Sequence, residues 1–235
     1  MADMPTAIVT GASMGFGRAV ARALAARGWA LVLDARRPAP LHAVAAELAG
    51  VGEVVAVPGD VADPAHRAEL AAAAHRLGDL RLLVNNVSVL GPSPQPALEH
   101  YPLDELAHVY EVNVFAPLAL VQLVLPQLRE SGGTVLNVSS DAAVEPYEGW
   151  GGYGSAKAAL DQLTAVLGAE QPALRVYSFD PGDMRTEMHQ QAFPGEDISD
   201  RPEPAAVVPA LLRLLDDRPA SARYRASDLA AAVGT

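Results

Sequence analysis

The stretch Thr10-Gly-Ala-Ser-Met-Gly-Phe-Gly17 decides the fold of this chain of 235 residues. It follows the short apolar run Ala7–Thr10 and leads into Gly15–Arg27, where Ala and Leu recur at helical spacing. Glycine permits a sharp turn and a close approach of backbone N–H groups, and the first turn of a following helix attracts anions. The stretch therefore predicts a strand, a glycine-rich turn and a helix that together bind a phosphate group.

Short apolar runs and Ala/Leu-rich segments alternate along the rest of the chain. This alternation is typical of repeated βα units, whose parallel strands are buried on both faces. We predict a Rossmann-like, doubly wound α/β fold with a central parallel sheet of about seven strands and helices on both faces. The predicted strands are Ala7–Thr10, Ala30–Asp34, Val54–Val57, Leu80–Asn85, Thr134–Ser139, Arg175–Asp180 and Ala222–Arg225. The predicted helices are Gly15–Arg27, Leu41–Leu48, Pro64–Leu77, Leu103–Glu130, Tyr153–Ala169 and Ala205–Leu215.

The composition indicates one domain that spans residues 1–235. Half of the residues are hydrophobic, which is enough for one substantial core. The net charge of −11 argues against a nucleic-acid partner, because a phosphate backbone requires a concentrated basic surface. The chain has no cysteine, which excludes disulfides and Cys-ligated metal sites, and we expect no metal.

The beginning of the chain predicts where the protein resides. Residues 1–6 lack the basic start and the apolar stretch of a signal peptide. No apolar run approaches the roughly 18 residues of a membrane span. We therefore expect a soluble cytoplasmic protein without a membrane partner.

Two proline-rich stretches are expected to be irregular. Gly91–Pro96 has too many prolines for a helix or an inner strand. His189–Pro204 also contains prolines and carries four acidic residues against a single arginine. A loop at about 184–204 is therefore predicted to cover the substrate, although a solvated acidic connection is the alternative.

Tyr153 and Lys157 are the strongest candidates for chemistry. Their spacing of four residues places both side chains on one face of a helix. Reduction of a carbonyl needs a proton at the oxygen, and a neighbouring positive charge lowers the pKa of a phenol. Such pairs are common in helices, but Ser140 precedes Tyr153 by thirteen residues and follows an apolar strand, where its hydroxyl can donate to a substrate oxygen. The three residues are therefore candidates for acid/base chemistry at a substrate oxygen.

The glycine spacing Thr-Gly-x-x-x-Gly-x-Gly resembles that of the short-chain dehydrogenase/reductase family. The sequence departs from the family where Asn-Asn-Ala-Gly is common and this chain has Asn85-Asn86-Val87-Ser88. The resemblance nevertheless extends over nearly the whole chain and implies an enzyme that uses a nicotinamide dinucleotide. The further matching motifs are Asp60-Val61, Asn85-Asn86, Asn113, Ser139-Ser140, Tyr153 with Lys157, and Pro181-Gly182 with Thr186.

The resemblance also implies roles for individual residues. The implied catalytic set is Asn113, Ser140, Tyr153 and Lys157. Within it, Asn113 is expected to anchor a water on a proton path, and Lys157 is expected to bond the nicotinamide ribose as well. Asn85 either contacts the cofactor or ties strands together by side-chain hydrogen bonds. The predicted cofactor-binding residues are Gly11, Ser13, Met14, Gly15, Phe16, Gly17, Arg36, Asp60, Val61, Asn86, Tyr153, Lys157, Pro181, Gly182, Met184 and Thr186.

The end of the second predicted strand bears on the choice of dinucleotide. An acid there would accept hydrogen bonds from the 2′-hydroxyl of NAD(H), whereas an arginine would neutralise the 2′-phosphate of NADP(H). The family's acid usually stands where this chain has Ala35, and Asp34 is one residue short, so strand alternation turns Asp34 away. Arg36 therefore favours NADP(H), with NAD(H) as the other possibility. Met14 lacks the positive charge often found at its position.

We accordingly expect an oxidoreductase that transfers hydride between NADP(H) and a ketone, an aldehyde or a secondary alcohol, with Tyr153 as acid/base. A non-catalytic dinucleotide sensor or scaffold of the same fold is the alternative. Members of the family usually pair through helices that correspond to Leu103–Glu130 and the Tyr153 helix, which implies a homodimer or a homotetramer.

The substrate is expected to be a small carbonyl or alcohol compound with a hydrophobic part. Its walls should come from residues 88–96, 141–152 and 184–204. Tyr147 and Trp150 could instead belong to an interface or the core. The apolar and aromatic candidates in these segments are Val144, Tyr147, Trp150, Met184, Met188 and Phe193.

Overall fold

The apolar runs form seven parallel strands in one sheet. The computed structural model describes residues 4–231, and within that range the strands are β1 (Thr6–Val9), β2 (Ala30–Ala35), β3 (Val54–Pro58), β4 (Leu80–Asn85), β5 (Thr134–Val138), β6 (Arg175–Asp180) and β7 (Ala222–Arg225). Their order across the sheet is β3-β2-β1-β4-β5-β6-β7. The order reverses between β1 and β4, which is where doubly wound sheets bind ligands. The predicted Rossmann-like fold is confirmed.

Helices cover both faces of this sheet. One core lies between the sheet and α1, α2 and α8, and a second core lies between the opposite face and α3 and α5. The helices are α1 (Gly15–Ala26), α2 (Pro38–Leu48), α3 (Pro64–Leu77), α4 (Leu103–Tyr110), α5 (Ala116–Ser131), α6 (Gly151–Glu170), α7 (Glu187–Ala192), α8 (Pro204–Asp217) and α9 (Ala226–Ala231).

Several predicted boundaries were wrong. The second helix begins at Pro38 instead of Leu41, because proline is tolerated in the first turn of a helix, where no intrahelical N–H bond is lost. The predicted helix Leu103–Glu130 is interrupted by a π-turn at Glu111–Phe115. The sequence analysis did not predict α7 or α9, and the ends of β1, β2, β3 and β5 differ from the predicted ends by one residue each.

The helical stretch Leu103–Ser131 is apolar over its length. It comprises 29 residues with a mean hydropathy of 1.5 in its most apolar window, which is sufficient by length and composition for a membrane span. The prediction that no apolar run approaches this length was therefore wrong by that criterion. Half of the window is buried inside the fold, where Leu120, Val124 and Leu128 pack in the second core. The core accounts for these apolar residues.

A ladder of polar side chains crosses the middle of the sheet. Asn85 Nδ2 donates to Asn137 Oδ1 at 2.8 Å, and Asn137 Nδ2 donates to the Thr164 hydroxyl at 2.8 Å. All three residues are buried. Of the two interpretations of Asn85, the structure favours the one in which it ties β4 to β5.

We predict that Asn137→Leu lowers the free energy of unfolding by about 2–3 kcal/mol, because it leaves the Asn85 amide nitrogen unsatisfied inside the protein and removes the hydrogen bond that the Thr164 hydroxyl accepts. Urea denaturation measures the change. Thr6→Val is the matched control, since the Thr6 hydroxyl is buried and has no hydrogen-bond partner among residues 4–231, and this variant should be neutral or slightly more stable. Equal stabilities for Asn137→Leu and the parent chain would contradict the structural role of the ladder.

Candidate active site

Most of the predicted site residues lie around one cleft at the carboxyl ends of the strands. The cleft has a volume of about 1160 Å³ and extends from the glycine-rich turn to α6. Gly17, Asp60 and Asn113 are not among its lining residues. The predicted residues that line it are Gly11, Ser13, Met14, Gly15, Phe16, Arg36, Val61, Asn86, Ser140, Tyr153, Lys157, Pro181, Gly182, Met184 and Thr186.

The three glycines of the glycine-rich turn meet conformational or steric demands of the backbone. Gly11 and Gly15 have φ angles of +66° and +53°, a region that favours glycine. A Cβ at Gly17 would collide with the carbonyl oxygen of Gly11 and lie 2.5 Å from Asn86 Nδ2. No side chain caps the start of α1 at Gly15, so the N–H groups of its first turn are available to an anion. This cradle fits the pyrophosphate of a dinucleotide.

Asn86 supports this turn from the end of β4. Its Nδ2 donates to the carbonyl oxygens of Thr10 at 2.9 Å and Gly11 at 3.3 Å. The Thr10 hydroxyl accepts hydrogen bonds from the backbone N–H groups of Asn86 at 2.9 Å and Val87 at 3.1 Å. The Asn86 side chain therefore holds the turn in place. Asn86 also lines the cleft, where it was predicted to contact the cofactor.

The residues at the end of β2 lie in different surroundings. Arg36 is exposed at the edge of the cleft. Asp34 is fully buried, and its carboxylate is bonded to His66, so it is not free to bind a ribose. Asp60 is exposed, and its carboxylate accepts a hydrogen bond from the N–H of Ala62 at 2.9 Å. Arg36 is thus the side chain at this strand end that is available to a ligand.

Tyr153 and Lys157 lie on the inner face of α6, near the end of β5. Lys157 Nζ donates to the carbonyl oxygen of Val138 at 2.7 Å and lies 5.6 Å from the centre of the Tyr153 ring. Both side chains are buried. Lys157 is the only lysine in the chain. An amine changes its pKa readily on burial, whereas a guanidinium stays charged.

Burial dominates the protonation of this pair. It raises the pKa of Tyr153 to about 12, although hydrogen bonds with the hydroxyls of Ser88 and Ser140 act in the opposite direction. It lowers the pKa of Lys157 to about 8. The expectation that Lys157 lowers the pKa of Tyr153 was wrong for the chain without a ligand, because desolvation of the phenol outweighs its polar partners. Tyr153 is therefore a neutral phenol at pH 7.

The Ser140 hydroxyl is held at the mouth of the cleft. It donates to Asp141 Oδ1 at 3.0 Å and accepts from the N–H of Ala142 at 3.2 Å. The second carboxylate oxygen of Asp141 accepts from the Tyr147 hydroxyl at 2.9 Å, which fixes the carboxylate. Ser140 also lines the cleft, together with Asp141 and Tyr153.

Ser139 lies next to Ser140, one residue beyond the end of β5. Its hydroxyl oxygen is buried without a hydrogen-bond partner in the part of the chain that the structure describes. The backbone N–H of Ser139 bonds to Phe179, so the strand end needs no cap. Ser139 lines the cleft, and its unpartnered hydroxyl fits a polar group of a bound ligand.

Asn113 lies in the π-turn Glu111–Phe115. Its amide donates to the carbonyl oxygen of Val89 at 2.8 Å, and its carbonyl accepts from the Val89 N–H at 2.9 Å and the Ser88 hydroxyl at 3.2 Å. The Ser88 hydroxyl also lies near the Tyr153 phenol, whose pKa it acts to lower. Ser88 thus links Asn113 to the phenol, a role that the sequence analysis missed although a hydroxyl at a common glycine position was its signal.

Arg223 of β7 is a second residue that the sequence analysis missed. Its guanidinium donates to Asp180 at 2.8 Å, to Asp161 at 3.0 Å and to the backbone carbonyl of Ser140 at 2.9 Å. Asp180 immediately precedes the predicted nicotinamide segment Pro181–Thr186. Arg223 therefore holds together two segments that border the cleft, one at Ser140 and one at Asp180. Its partners are distant in the chain, so no local pattern indicated them.

The predicted loop 184–204 contains α7. Thr186 caps this helix by accepting a hydrogen bond from the N–H of His189 at 3.1 Å, which is why the acidic stretch from His189 is not wholly irregular. The Ser93 hydroxyl donates to the carbonyl oxygen of Gln191 at 2.7 Å and so joins the stretch Gly91–Pro96 to α7. His189 and Gln191 line the cleft, which supports the predicted cover over the substrate.

One wall of the cleft is apolar. Leu90, Trp150 and Met188 line the cleft and pack together with Tyr153. Met184 lines it as well. This wall supports contact with a hydrophobic part of a substrate. Three other predicted wall residues are not among the lining residues, namely Val144, Tyr147 and Phe193.

The comparisons with known proteins agree with this geometry. A family model described as short chain dehydrogenase matches residues 5–197. The chain belongs to the short-chain dehydrogenase family. It is therefore an oxidoreductase, and the predicted enzyme class, acting on a CH–OH or C=O group, is confirmed.

Two curated relatives and one solved structure show which short-chain dehydrogenases this chain is similar to. Sepiapterin reductase from Mus musculus is 36% identical over 199 residues, covering 79% of this chain and 76% of that protein. Serine 3-dehydrogenase from Rhizobium radiobacter is 36% identical over 186 residues, covering 77% and 73%. An alcohol dehydrogenase from Thermococcus sibiricus, complexed with 5-hydroxy-NADP, has a TM-score of 0.85 and 30% identity, covering 94% and 95%.

We predict that the sole lysine titrates near pH 8, because its ammonium group is buried. Lysine-selective ¹³C labelling gives a single side-chain signal for this measurement. The same burial means that the charged form destabilises the fold. Lys157→Met should raise the free energy of unfolding at pH 7 by about 2 kcal/mol, since a pKa fall from 10.5 to about 8 is worth about 3 kcal/mol and the lost hydrogen bond about 1.

The sign of this effect sets its pH dependence. The folded pKa lies below the unfolded one, so the penalty is complete below pH 8 and disappears as the pH rises toward 10.5. The advantage of Lys157→Met should shrink over that window. Leu160→Met, a buried substitution in the same helix, controls for packing. A signal that titrates at 10.5, or a destabilised Lys157→Met, would contradict the assignment.

Proposed function

We propose that this short-chain dehydrogenase transfers hydride between NADP(H) and a ketone, an aldehyde or a secondary alcohol, with Tyr153 as the acid/base. The observation that carries the proposal is the convergence of Tyr153, Ser140 and Lys157 on one end of a cleft that begins at a phosphate-binding turn. A sensor or scaffold would need only the turn. The chemical end of the cleft thus favours turnover over the non-catalytic alternative.

The adenosine end supports NADP(H) in preference to NAD(H). Arg36 is exposed at the cleft, where its guanidinium can pair with a 2′-phosphate. Asp34, the acid that could have selected NAD(H), is buried and bonded to His66. The relative from Thermococcus sibiricus is complexed with an NADP derivative. We assign the predicted cofactor-binding set to this dinucleotide, with the Gly17 contribution made through packing.

The proposed chemistry divides between the cofactor and the chain. NADPH, when bound, supplies the hydride. Tyr153 donates its phenolic proton to the substrate oxygen, and its raised pKa keeps that proton in place at neutral pH. Ser140 turns its hydroxyl from Asp141 and donates a hydrogen bond to the same oxygen. Lys157 holds a positive charge beside the phenol and stabilises the phenolate that proton donation leaves.

The protonation state of Tyr153 favours reduction over oxidation. Oxidation of an alcohol needs a phenolate to accept the proton, and burial disfavours that form. Proton return to Tyr153 requires a path out of the buried site. Ser88 and Asn113 provide hydrogen-bonding groups that lead from the phenol toward the π-turn, and we assign them to that path.

The substrate we propose is a small carbonyl or alcohol compound with an apolar or aromatic part. Leu90, Trp150 and Met188 form an apolar wall beside Tyr153, and such walls bind the non-reacting part of a ligand. α7 carries Met188 and borders the same space. The two relatives, sepiapterin reductase and serine 3-dehydrogenase, are named for different substrates. We therefore expect the apolar wall of this chain to determine which substrate it binds.

We also propose that copies of the chain associate through α5 and α6. Three large apolar side chains are exposed on this side of the protein, which is unusual for a helix surface that faces only water. They are Phe115 just before α5, Leu123 in α5 and Val166 in α6, with exposed fractions of 52%, 44% and 43%. A dimer or a tetramer would cover them. The cytoplasmic location and the absence of nucleic-acid and membrane partners stay predictions from the sequence.

Tyr153→Phe tests the proposed acid. It should lower kcat for NADPH-dependent reduction of a carbonyl panel by about 10²–10⁴, because no other group can donate the proton. NADPH affinity, measured by fluorescence, should change less than about threefold, since the substitution removes no phosphate contact. Tyr224→Phe is the control and should retain activity, because the Tyr224 hydroxyl bonds the carbonyl oxygen of Ala220 away from the cleft. Undiminished reduction by Tyr153→Phe would overturn the role of Tyr153, and absence of reduction by the parent protein would favour the sensor.

Arg36→Ala tests the dinucleotide preference. Loss of the guanidinium should weaken NADPH binding by about tenfold or more and NADH binding by less than about threefold, since only NADPH carries the 2′-phosphate. Arg37→Ala is the matched neighbour. Its guanidinium lies 3.8 Å from Glu187 and should matter less. Calorimetry gives both affinities, and equal losses for the two dinucleotides would contradict selection by Arg36.

A further inference from the structure

A buried histidine–aspartate pair lies behind the adenosine end of the cleft. His66 Nε2 and Asp34 Oδ1 are 2.6 Å apart, and their side chains are 5% and 1% exposed. His66 belongs to α3 and Asp34 to β2, so the pair joins two elements that are 32 residues apart. The reaction proposed above uses neither residue. A buried charge of this kind is costly unless its partner is retained.

The pair reaches the phosphate-binding turn through Asp34. The second carboxylate oxygen of Asp34 accepts a hydrogen bond from the N–H of Gly11 at 3.3 Å, and its backbone carbonyl accepts from Ala12 at 2.8 Å. Gly59 makes room for the histidine, because a Cβ there would collide with the His66 ring. Gly11, Asp34 and Gly59 all line the cleft. The charge on the pair therefore changes the electrostatic potential in the part of the cleft where the adenosine ribose would lie.

The other charged groups that act on the pair are acids. Asp60 from the turn after β3 acts on Asp34, and Asp63 and Glu69 act on His66. The hydrogen bond to Asp34 raises the pKa of His66, although burial opposes it. Burial raises the pKa of Asp34, although His66 and Gly11 oppose it. We take the charged pair, a protonated His66 beside an ionised Asp34, as the resting state. Each charge stabilises the other, and the two atoms are only 2.6 Å apart.

We propose that His66 is a selectivity residue for the dinucleotide, which, by balancing the charge of Asp34, permits a 2′-phosphate to bind beside Arg36. Without this balance, a buried carboxylate would stand behind the turn and repel the 2′-phosphate. The inference rests on the proposed function, since it takes NADP(H) as the cofactor. His66 acts through Asp34 and the turn and is a positioning residue.

The proposal has a pH signature that a purely structural role lacks. The folded pKa of His66 is raised, so the pair keeps its balance at neutral pH and loses it as the pH rises through that value. A ribose 2′-phosphate is already a dianion above about pH 7. As the pH rises above the ordinary histidine range, affinity for a 2′-phosphate should therefore fall relative to affinity for the same nucleoside without it.

Adenosine 2′,5′-bisphosphate and adenosine 5′-monophosphate are the probes, and calorimetry on the intact protein without cofactor is the measurement. His66→Gln keeps a donor near Asp34 but removes the positive charge. This substitution should weaken binding of the bisphosphate about tenfold and binding of the monophosphate less than about threefold. The reason is that the unbalanced Asp34 carboxylate repels the 2′-phosphate, which only the bisphosphate carries. Adding Asp34→Asn to His66→Gln should restore the bisphosphate affinity to within about threefold of the parent.

Linkage supplies a readout that needs no substitution. If protonated His66 favours the 2′-phosphate, then the bisphosphate must raise the pKa of His66, and the monophosphate must leave it nearly unchanged. Histidine-selective ¹³C NMR measures both. Should His66→Gln fail to fold, Asp34→Asn alone keeps the bonds to Gly11 and His66. It should make discrimination between the two probes independent of pH from 7 to 9.

Equal losses of both probes in His66→Gln, or no rise of the His66 pKa with the bisphosphate, would overturn the selectivity role and leave the proposed function intact. A parent protein that binds the bisphosphate no more tightly than the monophosphate would overturn the NADP(H) preference and this inference together. The two failures are therefore distinguishable in one set of titrations.

Discussion

The close approach of α1 to the carbonyl oxygen of Gly11 is the constraint on which the rest of the structure depends. The helix can sit there only because Gly17 has no Cβ. That position directs the first turn of α1 into the cleft and lets Val20 and Leu24 pack in the core that covers β1 and β2. One contact thus serves both the hydrophobic core and the anion site, so neither can change without the other.

Much of the fold could be predicted because its signals are local. Strands β4 and β6 and helix α3 match their predicted bounds, since an apolar run or helical spacing ends there at a clear polar or proline signal. α7 is a local element that was missed. Its capping residue Thr186 lies three residues before the acidic, proline-containing stretch His189–Pro204, and the proline content outweighed the cap in the sequence interpretation.

The residue types at the site could be predicted, but their partners could not. The glycine turn and the Tyr153–Lys157 pair are patterns over a few residues, and the family resemblance orders them. The bonds of Arg223 and of His66 join residues far apart in sequence, so only the folded chain reveals them. The pKa of Tyr153 depends on the sum of burial and all neighbours, and a motif reports only one neighbour.

The π-turn at Glu111–Phe115 also takes up an extra residue between two helices. In an unbroken α-helix one added residue rotates everything that follows by about 100° around the helix axis, whereas a turn that is wider by one residue absorbs the insertion locally. α5 therefore keeps the phase in which Leu120 and Val124 meet the sheet while Leu123 faces outward. Removal of one residue within the π-turn would leave that phase unchanged, whereas removal of one residue within α5 would turn the wrong face inward. Length changes are consequently tolerated better at the π-turn than in the helix that follows it.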